Sequence, residues 1–173
     1  MLLLALMANA DAVEVDGIYY NLIQKIKSAE VTSMPNDNYY TGEVTIPPKI
    51  IYEGIEYNVT SIGNNAFNNC LELTSVTIPN SVTSIGEYAF CRCMEIESIS
   101  IPNSVTSIGS GAFLDCYDLV SINIPNGVSS INYGTFSYCS SLASITIPNN
   151  VKVIGQSSFA FSGLNSLIEY IKH

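Results

Sequence analysis

Histidine, tryptophan and positive charge are all scarce in this chain. It has no Trp, and its one His, His173, is the last residue. A nucleophile needs a base held firmly beside it, and a frayed terminus holds nothing firmly, so catalysis of the Ser–His or Cys–His kind is not expected. Lys and Arg number 6 against 15 Asp and Glu, a formal charge of −9. That balance repels phosphate backbones and anionic lipid surfaces, so nucleic acid is not an expected partner. No G-x-G-x-x-G or phosphate loop occurs, and no cofactor is expected. No run approaches the ~18 apolar residues of a membrane span.

What the chain has is apolar mass. Hydrophobic residues make up 47% and charged residues 12% of 173 positions, enough for one packed domain or one short repeat array. The apolar run of residues 1–10 ends in Ala8-Asn9-Ala10, which reads as the end of a signal peptide cleaved before Asp11 and implies export. A core strand is the alternative reading of that run.

The strongest feature is internal repetition. Val59-Thr60-Ser61-Ile62-Gly63 returns at Val82 and Val105, and more loosely at Val128 and Val151, each step being 23 residues. In the same register run Phe67, Phe90, Phe113, Phe136 and Phe159; Cys70, Cys93, Cys116 and Cys139; and Pro79, Pro102, Pro125 and Pro148. The units fall at 59–81, 82–104, 105–127, 128–150 and 151–173. A unit this short cannot bury its own apolar side and must stack on neighbours, so equivalent residues form ladders. Polar–apolar alternation in Ser75-Val76-Thr77-Ile78 and its equivalents predicts a half-buried strand. Proline ends it because it has no N–H to give. A second short extended segment follows at Val-x-x-Ile-Gly, and Ala-Phe-x-x-Cys is expected to close each unit as a helical turn with Phe and Cys inward. The expected fold is a repeat solenoid, mostly β with short helical turns.

The pattern Ile-Gly-x-x-Ala-Phe-x-x-Cys-x-x-Leu-x-Ser-Ile-x-Ile-Pro-Asn, carried by residues 62–149, resembles the BspA-like branch of bacterial leucine-rich repeats. The resemblance covers about two thirds of the chain. It implies a right-handed leucine-rich-repeat coil and a secreted or cell-surface protein of a host-associated bacterium. It also implies adhesion to host or bacterial surface proteins and no enzyme activity. The departures are Tyr133-Gly134-Thr135 ahead of Phe136 and a last unit without Cys or Pro.

Residues 11–58 are expected to form an N-terminal β-hairpin cap. Asp16-Gly17 sits between Val13-Glu14-Val15 and Ile18-Tyr19-Tyr20, a two-residue hairpin signal. Val44-Thr45-Ile46-Pro47 matches the strand and proline of the repeats, but Pro47 lies 32 residues before Pro79, one period plus nine. The surplus, 49–58, turns at Glu53-Gly54 as a second hairpin, sealing a modified half-repeat. In Tyr19-Tyr20 and Tyr39-Tyr40, strand alternation sends one of each pair into the core.

Few residues carry chemistry. Glu72, Glu87, Glu95, Glu97, Asp115 and Asp118 fall at positions expected to face solvent, where carboxylates are solvated charge rather than an acid–base pair. Asn36-Asp37-Asn38 lacks the glycine and closing acid of a calcium loop. Metal motifs use close spacing rather than 23 residues, so no metal is expected. Stacked strands ~4.8 Å apart leave disulfides within reach, but ladder side chains project in parallel, and a reduced buried ladder is the reading adopted. Cys91 stands off that ladder and is the candidate reactive thiol. The outward strand positions, Ser75 to Thr146, make a hydroxyl carpet without aromatic anchors. The candidate protein-binding surface is therefore Tyr88, Arg92, Tyr117, Tyr133 and Tyr138, the residue types that dominate interfaces. The alternative is an architectural repeat fragment of a larger cell-envelope assembly. The strand-forming end, 164–171, is a candidate edge for weak self-association.

Overall fold

The structure, a computed structural model, describes residues 12–164. The apolar start at 1–10 and all but the first residue of the self-association edge at 164–171 lie outside the described residues.

The chain opens with β1 (Val13–Val15), β2 (Ile18–Ile23) and β3 (Ser28–Thr32), paired antiparallel in sequence. Asp16 and Gly17 take φ of 50° and 79°, the two left-handed residues that a turn matching strand twist requires. Tyr20 and Tyr40 are buried, while Tyr39 is exposed and Tyr19 half-buried, so each pair sends one tyrosine into the core. Next come β4 (Gly42–Thr45), β5 (Lys49–Tyr52) and β6 (Ile55–Ile62), β5 and β6 forming a hairpin at Glu53-Gly54 with φ of 50° and 75°. The Lys49–Glu56 ion pair across it, 2.8 Å long, is exposed and adds little stability.

β6 is where the repeat takes over. Its Asn58 pairs with both Lys49 and Ser28, while Ser61 and Ile62 pair in parallel with Ser84 and Ile85. Val44 pairs with Val76, so the offset of 32 inferred from the prolines is the physical register. Beyond it the offset is 23 throughout. β7 (Leu73–Thr77) pairs with β4, and β8 (Ser84–Ile85) stacks under β9 (Ser107–Ile108). β10 (Ser121–Asn123) pairs with β12 (Ser144–Thr146), and β11 (Ser130–Ile131) with β13 (Val153–Ile154), all in parallel. Strands thus flank the proline corners, except before Pro102, where the expected strand is reduced to a single bridge from Ser98 to Ser121.

The third side of the unit corrects the expected helical turn. The segment is a run of turns, and among the described residues the only helical element is a 3-10 turn at Gln24–Ile26. The hydrogen bonds give the reason. Ala66, Asn68 and Cys70 donate to carbonyls within their own unit, whereas Asn65, Phe67 and Asn69 donate to Glu87, Ala89 and Cys91 of the next. A helix would spend every N–H inside the unit. Here every second N–H ties one unit to its neighbour, and left-handed residues at two positions per unit let the chain alternate.

Inside, Phe67, Phe90, Phe113, Phe136 and Phe159 form a column with ring centroids 5.1, 5.3, 5.5 and 5.6 Å apart and planes within 11° of parallel. Tyr40 closes its N-terminal end at 4.8 Å, tilted 52°. Its hydroxyl donates to Thr32 O at 2.8 Å and accepts from Tyr19 N–H at 3.0 Å. The Cys ladder lies beside the rings. Cys93, Cys116 and Cys139 each donate S–H to a Phe carbonyl one unit earlier, at 3.1 Å. In the last unit Ser162 takes the Cys place and donates to Phe159 O. Gly109 is required by close approach, since a Cβ there would sit 2.5 Å from the backbone of Gly86 and Glu87. Departing from the common Ala, Thr135 is buried and donates to Asn132 O at 2.8 Å.

Candidate functional site

The strand-side face is polar and flat. Thr77, Ser98, Ser100, Ser121, Asn123, Ser144 and Thr146 are exposed, with Ser75 half-buried. This is the outward orientation that alternation predicts.

The turn side is different. Two positions in every unit are left-handed. The first column is Asn65, Tyr88, Gly111, Gly134 and Ser157; the second is Asn69, Arg92, Asp115, Tyr138 and Phe161. Gly, Asn and Asp tolerate this backbone, whereas other L residues are held there at a cost of about 1–2 kcal/mol. Tyr88 (φ 53°), Arg92 (φ 61°), Tyr138 (φ 60°) and Phe161 (φ 55°) are the large residues placed there. They are not repaid by burial: Tyr138 and Phe161 are 44% and 64% exposed, and Tyr88 and Arg92 are exposed. Tyr138 and Phe161 stack on each other at 4.7 Å and 17°. Tyr88 lies across the next unit, where a Cβ on Gly111 would come within 2.5 Å of its ring.

The remaining two candidates share this side. Tyr133 is exposed one residue ahead of Gly134, and Tyr117 is exposed two residues beyond Asp115. Tyr88, Arg92, Tyr117, Tyr133 and Tyr138 therefore all project from the turn segments of three successive units. Phe161 extends the set and went unread in the sequence. Its signal was there: aligning units by 23 puts Asn, Gly or Asp at both columns, the signature of a left-handed position.

Cys91 is corrected. It is buried, on the floor between the two columns, and burial pushes its thiol up to about 11, with Asp115 adding in the same direction and Arg92 opposing. A thiol so shifted has almost no thiolate at neutral pH. The position tolerates Asn68, Leu114, Ser137 and Ala160 in other units, so variation there does not mean exposure. Burial likewise raises Cys70, to about 11, and Cys93, Cys116 and Cys139 well above the ordinary thiol range. All five are free.

Glu72, Glu87, Glu95, Glu97 and Asp118 are exposed and Asp115 is half-exposed. Asn38 folds back on Pro35 O through both its backbone N–H and its amide, a closed turn. Among the described residues no group of three or more His, Cys, Asp or Glu is arranged to hold a metal. No described helix is long and apolar enough to cross a membrane.

The family described as BspA type leucine rich repeat region matches residues 55–170 in 6 copies. Among curated proteins none matches the chain. Several solved structures do. A leucine-rich repeat protein from Bacteroides ovatus is 29% identical, with TM-score 0.52, over 86% of this chain and 50% of its own. A leucine rich cell surface protein from Faecalibacterium prausnitzii is 26% identical, with TM-score 0.61, over 88% of this chain and 52% of its own. A leucine-rich repeat protein from Bacteroides capillosus is 26% identical, with TM-score 0.60, over 84% and 98%. The chain spans about half the length of the first two.

Proposed function

Because the chain belongs to the BspA-type leucine-rich repeat family, we propose that it is a non-catalytic, surface or secreted protein-binding module that engages its partner through the turn side. Proteins of this repeat class are typically interaction modules. The observation that carries the reading is the placement of Tyr88, Arg92 and Tyr138 at left-handed positions, exposed, where Asn or Gly would cost less. Backbone strain at side chains that stay exposed, with Tyr138 resting only on Phe161 and Tyr88 on the Gly111 backbone, supports their being kept for what they touch outside the fold. Tyr and Arg are also the side chains that dominate interface hot spots. Tyr117 and Tyr133 widen the same face. The cell-surface relative from F. prausnitzii supports the location, and residues 11–58 serve as the closing end of the array.

The test is a pull-down with the chain as bait, run in parallel against host extracellular proteins and against envelope components of the producing cell, at physiological salt. Specific recovery of a host protein, lost on Tyr138→Ser with Tyr133→Ser, is the expected result. Recovery of envelope components alone, unaffected by those changes, would replace adhesion with an architectural role.

A further inference from the structure

Between the two strands of each unit the chain turns a corner at Pro-Asn-x-Val. The corner is closed by the Val N–H donating to the Pro carbonyl: Val82 to Pro79, Val105 to Pro102, Val128 to Pro125 and Val151 to Pro148, at 3.0–3.1 Å. The four corners share a backbone and differ in one residue. After Asn80, Asn103 and Asn149 come Ser81, Ser104 and Asn150; after Asn126 comes Gly127. The side chains of Ser104 and Asn150 donate to Val82 O and Val128 O of the preceding unit, at 2.7 and 2.9 Å. Those bonds pin two of the corners, while the buried Ser81 hydroxyl has no hydrogen-bond partner. Gly127 has no side chain with which to reach Val105 O.

What sets this corner apart is Gly127, which is exposed, whereas Ser81, Ser104 and Asn150 are half-buried; Asn126 is exposed like Asn80, Asn103 and Asn149. Among the described residues the Asn126 amide, like those of its sisters, makes no hydrogen bond, and the Gly127 N–H has no backbone acceptor. No Cβ shields the Gly127 nitrogen, and glycine lets that peptide explore backbone conformations closed to Ser or Asn. A primary amide thus stands next to an unengaged, unshielded backbone nitrogen.

We propose that Asn126-Gly127 is a self-modification site that converts to aspartyl and isoaspartyl forms in the folded protein. The Gly127 backbone nitrogen, on losing its proton to solvent base, attacks Cγ of Asn126. A C–N bond forms, the amide C–N bond breaks, and ammonia leaves with a proton from solvent, giving a cyclic imide. One water then opens the ring. Cleavage at one carbonyl gives an aspartyl residue in a normal backbone; cleavage at the other gives isoaspartate, with the backbone routed through the former side chain. Nothing is oxidised or reduced. The product puts a carboxylate at a corner whose equivalents are neutral amides, and in the isoaspartyl form lengthens that corner by one methylene between β10 and β11. The change marks the age of the chain with no enzyme involved, and it lies away from the turn-side columns.

The three sister corners are built-in controls. Purified full-length chain is held at mildly alkaline pH, sampled over days, digested and mapped by mass, with isoaspartate detected by enzymatic methyl transfer to its carboxylate. Asn126 is expected to gain one dalton several-fold faster than Asn80, Asn103 and Asn149, to slow at mildly acidic pH, and to fall to the sister rate in Gly127→Ser. Circular dichroism run alongside establishes that the chain stays folded. If Asn126 in the folded chain reacts no faster than its sisters, or Gly127→Ser leaves its rate unchanged, the proposal is overturned.

Discussion

The N-terminal hairpins and the five units reach order by different means. In β1 to β6, strands of up to eight residues form three antiparallel pairs close in sequence, β1–β2, β2–β3 and β5–β6, while β3 and β4 pair in parallel with β6 and β7. In the units, strands shrink to two to five residues, and a turn segment spends half its N–H groups on a neighbour 22 residues away. A hairpin can be read as a local object, but a unit has no stability of its own and exists only as part of a stack. β6 joins the two regimes, one half in a hairpin and the other in the ladder.

The units are most vulnerable from inside the stack. Phe113 is 1% exposed between Phe90 and Phe136, so Phe113→Ala should cost about 3–5 kcal/mol in equilibrium unfolding. A loss below about 1 kcal/mol would mean that the column does not carry the units. Next comes the join between regimes. Tyr40→Phe keeps the ring against Phe67 but strips the acceptor from Tyr19 N–H and the donor from Thr32 O. A loss of about 1–3 kcal/mol is expected, and no loss would leave the hydroxyl without a structural part.

Alkaline pH should reach the units first, because the buried thiols belong to them, whereas the buried hydroxyls of Tyr20 and Tyr40 in the N-terminal region are raised from a higher ordinary value of 10. A thiol raised from 9 to about 11 in the fold, as at Cys70 and Cys91, keeps its proton where the unfolded chain loses it. Stability is therefore full below pH about 9 and falls as pH rises from there towards 11. Melting temperature against pH should show this fall, flattened in Cys116→Ala relative to wild type. The same burial means that a maleimide should label Cys91 as slowly as the other four in native protein, and fast labelling of Cys91 alone would restore its exposure. The smallest effect lies outside. Arg92→Asn puts the residue of the equivalent Asn69 at a left-handed position and should stabilise by about 0.5 kcal/mol.

How much was legible follows from the same contrast. Periodicity located the strands, all but the one before Pro102, together with the Phe and Cys columns and the register of 32, because identical residues had to stack and proline had to end a strand. The hairpins were legible because Asp-Gly and Glu-Gly name their own turn. The turn segment reads as helical because Ala-Phe-x-x-Cys has helical spacing, and only the inter-unit hydrogen bonds decide against a helix. Cys91 misleads for a related reason: its position varies between units yet is buried here, and variation alone does not separate burial from exposure. Tyr88, Arg92 and Tyr138 were legible as outliers of the repeat, but their strain was not, since φ appears only in the folded backbone.

The claim that the turn side, and not the strand side, is the binding surface has one direct test. For a protein ligand recovered by pull-down, the dissociation constant is measured by titration calorimetry for wild type, for Tyr133→Ser with Tyr138→Ser, and for Ser121→Ala with Asn123→Ala. The account predicts that the tyrosine pair weakens binding about tenfold or more, at least about 1.4 kcal/mol, while the strand-side pair leaves it unchanged. Weakening by the strand-side pair with the tyrosine pair silent would contradict it.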